Sequence, residues 1–144
     1  MKKKLDIPKD RYYDRTSHLW IRPVEDGVVE IGLDQFNVEN IGDLAYLSFE
    51  RAGTLIKKGS VLGKLEAAKM VDNIVSPVSG KILELNEMVL RNPISINAGP
   101  YDNWIVKIKP DDWDQDKGSF VSGVEVDSWA EEEFARSGRS ESVD

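Results

Sequence analysis

The chain contains no cysteine and a single histidine, His18. Without cysteine there is no disulfide framework, no thiolate nucleophile and no zinc cluster. One histidine among scattered carboxylates does not make a transition-metal ligand set. No glycine-rich phosphate loop and no serine nucleophile elbow occurs. No apolar run reaches the length of a membrane span. The N-terminal MKKKLDIPKD lacks the apolar stretch of a secretory signal and reads as a frayed end. These absences predict a cytoplasmic protein that is not an enzyme, because little chemistry resides in its own side chains.

What is present is a 144-residue chain with 40% hydrophobic and 31% charged residues, enough for one domain with a real core. The formal net charge is −7, unevenly spread. Residues 1–109 hold 16 basic and 15 acidic side chains; residues 110–144 hold 3 basic and 11 acidic. The acidity is a property of the C-terminal segment. It argues against nucleic acid and anionic membrane as partners. A solubilising tail is the plain reading, a surface for a basic partner the other.

Along the chain, short alternating runs are separated by glycine and proline. SHLWIRPV and VVEIGL flank the turn EDG, with Leu19 and Ile21 on one face and Trp20 and Arg22 on the other. Asp34 suits an N-cap for a short helix over QFNVEN, stopped by Gly42. LAYLSF, SVLGKLE, NIVSPVSG, KILEL and WIVKIK read as further strands, the last with Trp104, Val106 and Ile108 on one face and Trp104 in the core. Asn86 caps a helical turn that Pro93 ends, NAGPYDN is a loop, and DDWDQDKG is acidic and loop-like. DSWAEEEFARSG predicts a C-terminal helix capped by Asp127 or Ser128, with Trp129 and Phe134 facing the body and a Glu132–Arg136 pair. Gly32, Gly42, Gly53 and Gly80 serve turns or close approach, and His18 and Trp20 pack and hydrogen-bond at the first strand. Such spacing predicts a mainly β protein, a sandwich or flattened barrel.

One stretch stands apart. LEAAKMVDN, residues 65–73, is helix-forming by propensity yet lies between strands. The strands around it leave about eight residues of connection, and its only turn formers, Asp72 and Asn73, follow Lys69. A hairpin with the small tip Ala67-Ala68 would leave the Lys69 ammonium open to an acylating enzyme. The plain alternative is a surface lysine paired with Glu66 across one helical turn.

Here the chain resembles the H-protein family of the glycine cleavage system, a family of lipoyl carriers. The resemblance rests on HLW at 18–20, EIGLDQFNVENIGDLAYL at 30–47, GSVLGKLEAAK at 59–69, SPVSGKILELNE at 76–87 and NPISINAGPYDNWIVKIKP at 92–110. It covers residues 11–136, leaving 1–10 as a flexible N-terminus and 137–144 as a disordered tail. It implies a barrel-sandwich hybrid, the lipoyl/biotinyl type of β-sandwich, with short helices and a C-terminal helix. It implies lipoate in amide linkage to Lys69, with Glu66 tentatively read by the modifying enzyme. Tethering by such an arm raises effective concentration at successive active sites.

The modification loop departs from the family's usual text. Ala67-Ala68 precede Lys69 where Ser-Val is usual, Met70-Val71-Asp72 follow it, and Leu19 stands where His-Glu-Trp has a glutamate. A divergent loop on an H-type scaffold resembles the H-like lipoate-binding proteins of bacterial sulfur oxidation. The expectation drawn is a carrier of a sulfur-bound intermediate for a heterodisulfide-reductase-like complex. The alternative is the glycine cleavage H-protein carrying an aminomethyl group between glycine decarboxylase, aminomethyltransferase and dihydrolipoamide dehydrogenase. Either would be a monomer served by a lipoate-protein ligase or lipoyl transferase. A biotin carrier, suggested by Lys69-Met70, and an unmodified binding module are the remaining readings.

Overall fold

The computed structural model describes residues 6–137. Nine strands form two antiparallel sheets: β1 (Tyr12–Tyr13), β2 (Leu19–Pro23), β3 (Val29–Leu33), β4 (Leu44–Phe49), β5 (Leu55–Ile56), β6 (Val61–Ala67), β7 (Val71–Val75), β8 (Gly80–Leu85) and β9 (Val106–Pro110). One sheet has the order β1-β2-β3-β9-β8-β5 and the other β4-β6-β7. Their inner faces meet in one core. Leu19, Ile21, Ile31, Leu33, Ile82, Val106 and Ile108 come from the larger sheet, and Leu44, Leu47, Leu62, Leu65 and Ile74 from the smaller. This is the predicted β-sandwich, and the period-2 alternation of its strands is what closes it.

The hairpin turn at EDG forms as the sequence indicates, with Asp26 at φ 62 and Gly27 at φ 71. Helix α1 (Gln35–Ile41) begins at Asp34, whose carboxylate accepts the Asn37 amide, and ends at Gly42, φ 81. The Gln35 amide donates to the Tyr101 hydroxyl, which satisfies another helix-start donor. Asn86 caps α2 (Glu87–Arg91) as expected. Pro93 does more than end that helix. It is the N-cap of α3 (Ile94–Ala98), a helix that takes in Asn97 and Ala98 at the start of the expected NAGPYDN loop. Proline is well suited to a helix start, where no backbone donor is missed. A further short helix, α4 (Trp113–Asp116), lies in the acidic stretch read as a loop and is capped by Asp112.

The outer face of β2 and β3 is also buried, which alternation alone did not suggest. Trp20 sits opposite Gly32 in the β2–β3 register. A Cβ at Gly32 would lie 2.5 Å from the indole, so the ring lies flat over the glycine. Trp20 Nε1 donates to the Pro100 carbonyl and the Arg11 guanidinium covers its other face, 4.5 Å from the ring centroid. Helix α5 (Glu125–Ser137) packs over this side. Val126, Trp129, Ala130, Glu133 and Phe134 are its buried positions, a helical i, i+3, i+4, i+7, i+8 stripe. With Ile7, Tyr13, Trp20, Phe36 and Val121, its apolar members make a second core.

Several boundaries shift from expectation. Helix α5 starts at Glu125, ahead of the expected caps Asp127 and Ser128. Arg136 pairs with Glu133, at 2.6 Å, rather than with Glu132, because Glu133 lies on the face turned to the body. Trp104 precedes β9 and is half-buried against the second core, with Lys107 over its ring, whereas Ile105 enters the main core. Of the N-terminal segment 1–10, residues 6–10 are described, and Ile7 is buried in the second core. The expected tail, 137–144, falls outside the described residues apart from Ser137, the last residue of α5. Among the described residues no helix is long and apolar enough to cross a membrane.

Candidate functional site

Strands β6 and β7 form a hairpin with Lys69 at its tip. Their pairing runs from Val61↔Val75 to Glu66↔Val71. Asp72 and Asn73 are therefore strand residues opposite Leu65 and Lys64, not the turn. The connection is Ala68, Lys69 and Met70, much shorter than the eight residues expected from composition. The helix-forming word EAAKM forms no helical turn, so the plain Glu66–Lys69 helical pair is not made. Glu66 is exposed on β6, in a row with Tyr46 of β4 and Val71 of β7. Pairing with two neighbouring strands overrides local propensity here.

The tip has an unusual support. Short hairpin loops ordinarily use a residue with positive φ. Among the described residues, the non-glycine residues with positive φ are His18 and Asp26, so neither Ala68 nor Lys69 adopts that conformation. Backbone bonds to the end of α1 hold the tip instead. Lys69 N donates to the Ile41 carbonyl and Ala68 N to the Asp43 carbonyl, both at 2.9 Å. Within the hairpin, Ala67 N donates to the Met70 carbonyl, also at 2.9 Å. The Ile41 carbonyl lies at the end of α1 and would otherwise lack a helical partner.

The Lys69 side chain is exposed, and its ammonium donates to the Glu39 carbonyl at 3.3 Å. Its aliphatic stem crosses Gly42, where a Cβ would stand 3.1 Å from Lys69 Cγ. A primary amine at an exposed tip on a fixed backbone can be acylated without unfolding anything else.

Two hollows flank the hairpin. A cavity of about 350 Å³ lies between Met70 and Asp72, Asn37 and Asn40 of α1, His18 and Glu133. A larger one, about 630 Å³, includes Leu19, Leu65, Asp72, Ile74 and Phe120 among its walls. Leu19, at a position expected to carry a charge, is thus a buried core residue. His18 has φ 57 and joins the body to α5. Its Nδ1 lies 3.1 Å from Asp34 Oδ2 and its Nε2 3.5 Å from Glu133 Oε2, with Trp129 stacked on the ring. Burial opposes the imidazolium, but the hydrogen bond and charge of Asp34 and the charge of Glu133 outweigh it and hold the His18 pKa above its usual value. Burial pushes Asp34 up, despite the His18 and Asn37 hydrogen bonds that favour its charge. His18 thus packs and hydrogen-bonds, as expected, and it does so at the junction with α5.

The family model described as glycine cleavage H-protein matches residues 11–133 of this chain. The chain belongs to the glycine cleavage H-protein family. It is 42% identical over 105 residues to glycine cleavage system H protein 3 of Aquifex aeolicus, a match covering 72% of this chain and 65% of that relative. It is 36% identical over 108 residues to the glycine cleavage system H protein of Paraburkholderia phymatum, covering 75% and 85%. The crystal structure of a glycine cleavage system H protein from Mycobacterium marinum superposes with a TM-score of 0.72 at 28% identity, covering 92% of this chain and 99% of that one. H-proteins are non-catalytic lipoyl carriers, which agrees with the small chemical repertoire of the side chains. The preference for a sulfur-oxidation carrier gains no support from these comparisons; the relatives carry glycine cleavage names.

The sequence pointed to Lys69 and Glu66, and the fold brings both to one end of the smaller sheet. It gave no hint of Glu39, Ile41, Gly42 and Asp43 as the seat of the tip. Ile41 and Asp43 bind the hairpin through backbone atoms alone, whereas the Glu39 carbonyl and Gly42 meet the Lys69 side chain from about 30 residues away in the chain. Side-chain identity carries no trace of such bonds.

Proposed function

We propose that Lys69 carries lipoate in amide linkage and that the chain is the H-protein of a glycine cleavage system. The observation that carries this is the exposed Lys69 ammonium at a short hairpin tip whose backbone is held by the end of α1. The amide forms when Lys69 Nζ, having lost one proton and its charge, attacks the lipoyl carbonyl that the modifying enzyme holds as an acyl adenylate; AMP leaves and Nζ gives up a second proton, keeping one hydrogen. The formal net charge then falls from −7 to 18 − 26 = −8. The attached group supplies the dithiolane sulfur that takes up the transferred fragment. The chain's residues hold the attachment point: Ile41 and Asp43 fix the tip, and Gly42 leaves room for the lysine stem. Glu66, exposed on the strand leading to the tip, is the side chain offered to the modifying enzyme. Glycine decarboxylase, aminomethyltransferase and dihydrolipoamide dehydrogenase are the partners that this role requires, with an aminomethyl group as cargo.

A second reading, a sulfur-bound cargo for a heterodisulfide-reductase-like complex, is favoured by the divergent loop text and by buried Leu19. Two measurements separate the readings. Intact mass of protein from its native host should show a lipoyl increment, mapped by peptide analysis to Lys69. A biotinyl increment or none at all would end the carrier reading in this form. The lipoylated protein, mixed with glycine decarboxylase, should support exchange of labelled bicarbonate into glycine. Absence of exchange, with the lipoyl increment present, would leave the sulfur reading as the better one.

A further inference from the structure

We propose that Asn97 is a positioning residue for the modification of Lys69, acting from the opposite side of the loop that seats the hairpin tip. The inference rests on the reading of Lys69 as the acylated lysine. The tip cannot hold its own shape by positive φ, so its geometry is borrowed from residues 41–44. That segment is itself irregular: it passes from α1 through Gly42, at φ 81, into β4, whose register shifts between Leu44 and Tyr46. Besides its backbone bonds, one side chain grips it twice. Asn97 Nδ2 donates to the Gly42 carbonyl at 2.8 Å, and Asn97 Oδ1 accepts the Leu44 amide at 2.9 Å.

A carboxamide presents a donor and an acceptor side by side, as a strand backbone does. Asn97 therefore pairs with residues 42 and 44 as a short substitute strand. From the same segment, the Ile41 and Asp43 carbonyls bind Lys69 and Ala68. The segment is thus gripped by Asn97 through Gly42 and Leu44, and it grips the hairpin through Ile41 and Asp43. Asn97 is anchored in turn, because its helix α3 has Ile96 fully buried in the main core and Asn103 bonded to the Ser95 and Gly99 carbonyls. An aspartate at 97 could accept but not donate, and an alanine could do neither. A mobile tip must be ordered each time the modifying enzyme binds, which weakens binding without altering the chemistry that follows.

The test uses the full-length unmodified chain with Asn97→Ala and Asn97→Asp. Asn86→Ala, which removes the α2 cap and a bond to the Trp104 carbonyl, serves as a control for general destabilisation. Amide hydrogen exchange is followed by NMR. Both Asn97 variants should speed exchange at Ala68 and Lys69 roughly ten-fold, with core amides such as Ile31 scaling only with global stability. Asn86→Ala should leave Ala68 and Lys69 no faster than the core. Acylation is then measured with a lipoate-protein ligase, ATP and lipoate. The KM for the Asn97 variants should rise by about three- to ten-fold with kcat preserved.

Unchanged exchange at Ala68 and Lys69 overturns the clamp. Faster exchange with an unchanged KM overturns the positioning role. Should Asn97→Ala fail to fold, Asn97→Asp, which keeps the acceptor and the volume, decides both points. If the wild-type chain is not acylated at all, the reading of Lys69 fails, and the exchange data alone decide the clamp.

Discussion

At the scale of single residues, a glycine and a glutamate make opposite cases. Gly32 is the floor beneath Trp20. Gly32→Ala should destabilise the protein by about 2–3 kcal/mol through overpacking, read as a lower urea midpoint. It should also shift the Trp20 Nε1–H resonance, because displacing the indole breaks its bond to the Pro100 carbonyl. Glu66 offers a contrast. It is exposed and forms no ion pair with Lys69 among the described residues, so Glu66→Gln should leave stability within about 0.5 kcal/mol. If the modifying enzyme reads this carboxylate, the same change should lower kcat/KM for acylation by roughly five-fold, a loss expected of one exposed charged contact. Unaltered acylation would remove Glu66 from the recognition surface. The position of Lys69 between two strands was legible, because strand-forming text lies on both sides of it. The true turn was not legible. Asp72 and Asn73 have turn chemistry, but pairing with Leu65 and Lys64 places them in β7.

At the scale of elements, α5 covers the outer face of the larger sheet, and Trp129 is its main apolar anchor. Trp129→Ala should destabilise by about 3–5 kcal/mol. It should also raise hydrogen exchange along α5 well above that of β8 and β9. The helix itself was readable from its 3–4 spacing of Trp129, Ala130 and Phe134. Its ion pair was not, since choosing between Glu132 and Glu133 for Arg136 requires knowing which side faces the body. Helix α3 was missed because Pro93 reads equally as a stop or a start. Docking of α5 also has a pH signature. His18 lies between Asp34 and Glu133, with Arg136 bonded to the latter, and its pKa is raised in the fold. The folded state therefore holds a proton that the unfolded chain releases near pH 6.5, the ordinary histidine value. The stabilisation from this group is complete below 6.5 and is lost as pH rises through the higher folded value. Urea midpoints should fall over that window, and His18→Gln should flatten the fall.

At the scale of the whole molecule, the scaffold and the cargo are separable. The two cores are complete without any prosthetic group, and Lys69 is exposed outside both. Lipoylation should therefore shift the thermal midpoint by less than about 2 °C. It should also move the protein toward the anode on a native gel by one charge. A large thermal shift would mean that the arm packs into the body. The fold class was legible from strand spacing and punctuation, because a sandwich needs little more than alternation and turns. The second core was harder to see. It depends on the outer faces of β2 and β3 being covered by a segment that arrives about ninety residues later, from Leu33 to Glu125.

The bond from the Lys69 ammonium to the Glu39 carbonyl has one more consequence. The atom that would receive the acyl group is the atom that ties down the unmodified side chain. As an ammonium, Nζ is drawn to the carbonyl-rich end of α1 by full charge as well as by hydrogen bonding. As an amide it keeps one hydrogen and no charge, so the attraction drops to that of a neutral bond in contact with water. The resting lysine is moored, and the reaction that loads it also casts it off.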